Sequence, residues 1–295
     1  MSTFSFSKEL TLIKYHIKGF LISDKLHAVI RFKRNFGRPV NLKDPKTFNE
    51  KLQWLKLYYR KPVYTVYADK YSVRNIISEK IGEHVLNDLY ATYDNVDEID
   101  FDALPNSFVL KTTHASGTNI ICRDKSGLNI KEVKQTLKYW LKSSYYLRNR
   151  EWPYKNIKKR IVCEKFLEPK NNEPLYDYKL FCFDGKVKYI LVDIHISNKL
   201  RRAFYNTKWE KQPFSIKYDI IEEEIPRPER LDEMIKYAEI LSENEPFLRI
   251  DFYYFDKKIV FGEITMYPGN GYNGFIPEKY DYHFGQLLKL PDPVL

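Results

Sequence analysis

Through the first 95 residues, apolar side chains recur every three or four positions, the period of helices with one buried face. Leu10, Ile13, Ile17 and Leu21 form one such stripe, with Lys8, Lys14 and Lys18 set among them. A basic amphipathic helix of this kind either docks onto the protein's own core or lies on a membrane. Thr47-Phe-Asn-Glu50 has the spacing of a capping box, and Phe48, Leu52, Leu55 and Tyr59 give the apolar face of the helix it opens. A further helix is predicted over residues 69–81, ending at Gly82.

From Ser107 the period changes. Residues 108–111 and 119–122 read as two short strands around the turn His114-Ala-Ser-Gly117-Thr. Ile130, Val133, Leu137, Trp140 and Leu141 then mark an amphipathic helix, and residues 160–167 read as a buried strand. Residues 178–183 and 186–192, joined by Asp184-Gly185, form the clearest hairpin in the chain. After a helix through Leu231, Met234, Ile235, Ala238 and Leu241 come two last strands, 248–255 and 259–265, and then Tyr267-Pro-Gly-Asn-Gly271. Helices packed on antiparallel strands in two successive clusters predict an α+β fold.

Composition narrows this picture. With 43% hydrophobic and 16% aromatic residues over 295 positions, the chain has the material for a large core, which excludes wholesale disorder. No run of about 18 uncharged apolar residues is present, and the N-terminus lacks a secretory pattern. Cys122, Cys163 and Cys182 are odd in number and form no CxxC. They read as buried strand residues of a reduced, cytoplasmic protein. A net charge of +10 favours anionic partners, among them nucleotide phosphates, acidic sugars and anionic membranes, without choosing among them.

The familiar phosphate and nucleophile motifs are missing: no GxxxxGK[ST], GxGxxG, HRD, DFG or GxSxG. Scattered histidines give no zinc pattern. Asp100-Phe-Asp102 matches the DxD of metal-dependent glycosyltransferases, but it lies in an acidic loop. Aromatic residues fall at core periods and no RNP-like motif occurs, so nucleic acid is not an expected partner.

One constellation remains. Lys111 ends an apolar strand before a small, hydroxyl-rich turn whose free N–H groups suit phosphates, although a plain hairpin would look the same. Glu164 lies among Ile161, Val162, Phe166 and Leu167, and a buried glutamate needs a partner: either a core salt bridge or an adenine amino group. Arg249-Ile-Asp251 and Glu263-Ile-Thr265 sit on the final two strands. Paired antiparallel, these strands bring Asp251 and Glu263 to one face, where two carboxylates need a cation, most naturally Mg²⁺ with nucleotide phosphates.

Read in order, these residues resemble the TupA-like ATP-grasp family. The resemblance runs from about residue 40 to the C-terminus. It is carried by residues 44–54 (DPKTFNEKLQW), 68–74 (ADKYSVR), 104–111 (LPNSFVLK), 114–117 (HASG), 177–185 (DYKLFCFDG), 249–253 (RIDFY) and 262–265 (GEIT). It implies an ATP-grasp fold in which two α+β lobes grip ATP, preceded by a mostly helical N-terminal region. The implied divisions are residues 1–105, a small lobe at 106–163, and a large lobe with the metal site at 164–295.

By the same resemblance, Lys70 and Lys111 hold ATP phosphates, and His114, Ser116 and Gly117 belong to the loop closing over them. Glu164, Lys165, Phe166 and Leu167 line the adenine, and Asp177 and Lys179 meet ribose and phosphate. Arg249 acts with Lys111 in catalysis, and Asp251 and Glu263 bind metal. Related ligases place Asn two residues after the glutamate. Here that residue is Thr265, and Asn270 is the substitute ligand. Arg201 and Arg202 fall where related folds contact a substrate carboxylate or phosphate; a solvated basic turn is the other reading.

The implied chemistry is ATP- and Mg²⁺-dependent joining of a carboxylate to an amine through an acyl phosphate. The substrates implied are an amine or amino acid and an acidic saccharide of a capsular or cell-wall polysaccharide. Two alternatives are a glycosyltransferase of the same pathway, using Asp100 and Asp102, and a peripheral membrane factor at the inner face of the membrane.

Overall fold

The computed structural model describes residues 3–168, 175–196, 199–218, 220–221 and 224–294. In chain order the longer helices are α1 (Thr3–Leu21), α2 (Asp24–Phe36), α3 (Phe48–Tyr58), α4 (Val63–Ala68) and α5 (Val73–Ile81), then α6 (Ile130–Lys142), α7 (Tyr145–Asn149), α8 (Leu231–Leu241) and α9 (Lys279–Leu287). The strands are β1 (Leu89–Tyr93), β2 (Phe108–Thr112), β3 (Asn119–Cys122), β4 (Ile161–Glu164), β5 (Tyr176–Phe183), β6 (Lys186–Ile196) and β7 (Lys199–Asn206). Four more follow: β8 (Ser215–Ile216), β9 (Phe247–Phe255), β10 (Lys258–Thr265) and β11 (Phe275–Ile276). The chain separates into two compact units. The N-terminal hundred residues are shared between the units, with 1–28 and 62–73 in the first and 29–61 and 74–86 in the second.

In the first unit, a four-stranded antiparallel sheet has the order β1-β4-β2-β3. Its core face presents Phe108, Leu110, Ile161 and Cys163 to Val133 and Leu137 of α6. Period-two alternation then puts Val109, Lys111, Val162 and Glu164 on the opposite face. Strand β4 stops at Glu164, because the next amide, Lys165 N–H, donates to the Asp88 carbonyl.

A five-stranded antiparallel sheet, ordered β10-β9-β5-β6-β7, builds the second unit. The β5–β6 hairpin turns through Asp184 and Gly185, both at positive φ (50° and 69°), as a tight primed turn requires. One face of this sheet is aromatic at one end: Phe181, Phe183 and Phe247 pack with Phe48 of α3 and Phe284 of α9. On the other face, α8 covers Cys182, whose thiol lies against the Ala238 carbonyl. All three cysteines are free and buried, as their strand positions imply.

Helix α3 opens as its sequence predicts. Thr47 Oγ1 accepts from Glu50 N–H while Glu50 Oε2 accepts from Thr47 N–H, the reciprocal capping box. Burial works against the Glu50 charge, but Arg38 and the amides of Lys46, Thr47 and Asn41 hold its carboxyl below the usual range. The single helix predicted over 69–81 is instead interrupted. Asp69 accepts from Tyr71 N–H and Ser72 Oγ, so its side chain satisfies a turn and α5 starts only at Val73.

Candidate active site

In the first unit, Lys111 and Glu164 share the partly buried face of the sheet opposite α6 and form an ion pair, Nζ to Oε2, at 2.6 Å. Of the two partners foreseen for Glu164, the salt bridge is the one present. Lys70 donates to the Ala115 carbonyl, which ties it to the 113–117 turn. Thr112 N–H donates to the Thr118 carbonyl at 3.2 Å and closes that turn, leaving Ser116 and Gly117 exposed at its tip. Gly117 sits at φ 72° with open space where a Cβ would be, so glycine is kept there by backbone conformation rather than by crowding.

His114 differs from its expected place. The ring is buried and Nε2 donates to the Trp140 carbonyl at 3.1 Å, while Nδ1 has no hydrogen-bond partner. Burial, with Lys159 and Lys70 nearby, pushes its pKa down to about 4. His114 is therefore neutral at pH 7 and brings no charge to a phosphate. Past β4, Lys165 pairs with Asp88 at 3.0 Å and Phe166 lies beneath the Arg123 guanidinium. Asp100 caps its own turn, accepting from Asp102 N–H at 3.0 Å, which gives the DxD a local structural use.

The second unit carries a row of charge across all five strands of its sheet. Register places Arg202 of β7 beside Asp193 of β6, Asp193 beside Asp177 of β5, Lys179 beside Asp251 of β9, and Asp251 beside Glu263 of β10. Arg202 grips Asp193 with two nitrogens, each at 3.0 Å. Lys179 pairs with Asp177, and reaches Asp251 at 3.2 Å. Arg249 holds Asp251 at 2.6 Å and Glu263 at 2.8 Å, and Thr265 Oγ1 donates to the same Glu263 oxygen at 2.8 Å.

This row is short of positive charge. Four carboxylates (Asp177, Asp193, Asp251 and Glu263) meet three cations (Lys179, Arg202 and Arg249). Burial opposes ionisation of Lys179, yet Asp251 and Asp177 push its pKa up to about 12. Burial raises Asp177 to about 6, with Asp251 adding to the effect, and its Oδ1 is buried without a hydrogen-bond partner. An under-neutralised acidic cluster of this kind fits a divalent cation. Among the described residues, no three His, Cys, Asp or Glu side chains form a metal cage. The paired carboxylates Asp251 and Glu263 fit Mg²⁺, which takes one or two carboxylates and completes its shell with phosphate and water.

Asn270 has a different setting from the acids. Its Oδ1 accepts from Lys56 Nζ at 2.6 Å, and its backbone carbonyl accepts from Gln53 Nε2 at 3.0 Å. Asn49 Nδ2 donates to the Asn273 carbonyl at 3.1 Å. The polar face of α3, Asn49, Gln53 and Lys56, thus clamps the segment that follows the acids. Gly269, Asn270 and Gly271 all adopt positive φ there. Beside this segment lies a cavity of ≈ 120 Å³, lined by Lys179, Asp193, Arg202, Arg249, Phe48 and Gly269 among others. Arg202 is buried on a strand, which removes the solvated-turn reading; Arg201 is on the opposite face of the same strand.

The structure therefore gathers the expected residues in two groups. Lys70, Lys111, Ser116, Gly117 and Glu164 lie in the first unit; Asp177, Lys179, Arg202, Arg249, Asp251 and Glu263 lie in the second. Sequence reasoning missed Asp193 and the α3 clamp. Asp193 stands in the run Ile190-Leu-Val-Asp193-Ile, and a charge within a buried strand was the signal for it.

The model of the TupA-like ATP-grasp family matches residues 50–289. No curated protein matches the chain. Solved structures similar to it include an L-amino acid ligase from Bacillus licheniformis (12% identity, TM-score 0.47, covering 93% of this chain and 63% of that one). Another is D-alanine–D-alanine ligase from Bacillus anthracis complexed with ATP (18% identity, TM-score 0.43, covering 68% and 55%). The chain spans little more than half the length of the D-alanine–D-alanine ligase. With the family model covering most of its length, the chain belongs to the TupA-like ATP-grasp family.

Proposed function

We propose that the protein is an ATP-dependent carboxylate–amine ligase acting in surface polysaccharide assembly. The observation that carries this reading is the under-neutralised ionic row, with Asp251 and Glu263 in register and Arg249 bonded to both. Among the described residues, neither of the two residue groups includes an activated nucleophile. Catalysis by positioning and charge neutralisation fits such a site.

In this reading the γ-phosphoryl group of ATP passes to a substrate carboxylate, giving an acyl phosphate and ADP. An amine then attacks the acyl carbon, phosphate leaves, and the amide forms with loss of the amine proton. Lys70 and Lys111 neutralise nucleotide phosphates, and the exposed Ser116–Gly117 tip offers backbone N–H groups to them. Lys165, Phe166 and Leu167, with Glu164, border the adenine; Asp177 and Lys179 meet ribose and phosphate. Asp251 and Glu263 would hold Mg²⁺, which supplies neutralisation of phosphate charge when bound. Arg249 stabilises the charge that develops on the transferring group. We assign Asn270 to the loop clamp rather than to the metal, because Lys56 occupies its Oδ1. Arg202, which lines the cavity, serves the acidic substrate in this scheme, while Arg201 on the opposite face of the strand does not.

The carboxylate substrate is a uronic acid or related acidic saccharide, and the amine an amino acid or similar small molecule. Hydroxylamine trapping tests the scheme. With Mg²⁺-ATP and a panel of uronic acids, hydroxylamine should take the place of the amine and yield a hydroxamate with stoichiometric ADP. Sugar transfer from a UDP-sugar without ADP release would make the protein a glycosyltransferase instead. ADP formation with a phosphorylated sugar and no hydroxamate would make it a kinase.

A further inference from the structure

Helix α1 presents two different faces. Gly19 lies under Leu147 of α7, where an added Cβ would come within 2.5 Å of the leucine methyl. The buried Arg150 guanidinium donates to the carbonyls of Gly19 and Ile22 at 3.1 and 3.0 Å, and pairs with Asp24. These contacts fix the C-terminal end of α1 on the first unit. Leu10, Ile13, Ile17, Phe20 and Leu21 are all at least half exposed, and Phe20 is 91% exposed. At about 100° per residue these five fall within a single arc of roughly 100°, on the side of the helix away from Gly19.

A continuous apolar arc on a helix already anchored by its other side calls for an external partner. Charge indicates which one. Exposed Lys14 borders the arc, exposed Lys25 follows it on α2, and exposed Arg148 stands on α7, against which α1 packs. Between residues 131 and 160 of the same unit, Lys131, Lys142, Lys155 and Lys159 are exposed as well, while Lys138, Arg150, Lys158 and Arg160 are paired with Asp97, Asp24 and Asp94. A second copy of this chain would set like charge against like charge. A bilayer with anionic headgroups meets both features, since it accepts the apolar arc at acyl-chain depth and attracts the lysines and arginines above it. No helix among the described residues is long and apolar enough to cross a membrane, so contact through α1 is contact in the plane of the interface.

We infer that the outward face of α1 is a membrane-docking surface for anionic lipid. It does not depend on the catalytic reading above, because none of its residues belongs to either of the two candidate residue groups. The test is vesicle flotation with the full chain, comparing phosphatidylcholine alone with phosphatidylcholine mixed with phosphatidylglycerol. The variants are I17E/F20E, which reverse the exposed arc, and L147A, which loosens its anchor. Expected is flotation with the anionic vesicles only, weakened by salt and reduced about tenfold or more in I17E/F20E at unchanged melting temperature. L147A should reduce it through loss of the anchor. Equal binding by wild type and I17E/F20E would overturn the inference. So would absence of vesicle binding combined with a dimer that the double substitution converts to monomer, since that would assign the arc to a second copy.

Discussion

Glu263 stands opposite Asp251 because Gly262 is bulged out of the β9–β10 ladder. Phe261 pairs with Phe252 and Glu263 with Asp251, so the one residue between them has no partner of its own. In an unbroken ladder Gly262 would face Asp251, and Glu263 would fall on the opposite side of the sheet. A Cβ at 262 would sit 3.0 Å from the Asp251 carbonyl oxygen, so any larger residue forces the bulge and the β9 backbone apart by a few tenths of an ångström.

Replacing that glycine should therefore injure the site more than the fold. Gly262→Val is expected to cost about 1–3 kcal/mol of stability by overpacking. Mg²⁺-dependent ATP turnover should fall far more, by about a hundredfold, because Glu263 is displaced. Thermal unfolding and ADP release on the same preparation check the split; a stability loss with turnover intact would contradict it.

Lys111 and Glu164 offer a second test, since each is the other's partner on a partly buried face. Lys111→Met removes the ion-pair partner of a buried carboxylate and should destabilise by about 1–3 kcal/mol. The double variant with Glu164→Leu should recover part of that loss without recovering ATP turnover. Urea unfolding of the full cycle measures the coupling, and strict additivity would mean that the ion pair contributes nothing.

His114 sets an acid limit on the fold. Its folded pKa lies near 4, below the value of 6.5 for an unconstrained histidine. Between these values the unfolded chain binds a proton that the native state does not, so stability is full above about 6.5 and is lost as pH falls toward 4. His114→Gln should flatten this dependence, which a series of melting temperatures from pH 4 to 7.5 would show. An unchanged slope would place the titrating group elsewhere.

The α3 clamp predicts a cost at residues outside the ionic row. Lys56 is 1% exposed, and its ammonium donates to both oxygens of Asn270. Lys56→Met should cost about 2 kcal/mol through loss of two charge-assisted hydrogen bonds to Asn270. It should also raise the substrate KM, because the Gly269 wall of the cavity loses its support. A loss of stability with an unchanged KM would leave Lys56 a structural residue only.

Much of this architecture was legible in the sequence, for reasons that differ from element to element. Strands β2, β3, β9 and β10 are short apolar runs bounded by turn residues, and the α3 capping box has a fixed spacing, so both appear in a short window. Arg249, Asp251 and Glu263 were legible because like charges facing each other on adjacent strands need explaining. Strand β7, with its Arg202–Asp193 pair, was not, because Arg201-Arg202 resembles a solvated turn until the neighbouring strand supplies the carboxylate. Nor could periodicity reveal the Gly262 bulge, a single-residue departure that only pairing exposes. The break at Asp69 was hidden by apolar spacing that continues across it.

The central claim is that this ATP-grasp chain binds Mg²⁺-ATP through Lys111 and the Asp251–Glu263 pair, and its most direct test is thermal unfolding with added nucleotide. At a ligand concentration about 100 times Kd, binding adds roughly 2.7 kcal/mol of apparent stability. The account predicts stabilisation by Mg²⁺-ATP and Mg²⁺-ADP that is lost on removal of Mg²⁺ and in Lys111→Ala and Glu263→Gln. Stabilisation by a UDP-sugar but by no adenine nucleotide, or an ATP effect that survives both substitutions, would contradict it.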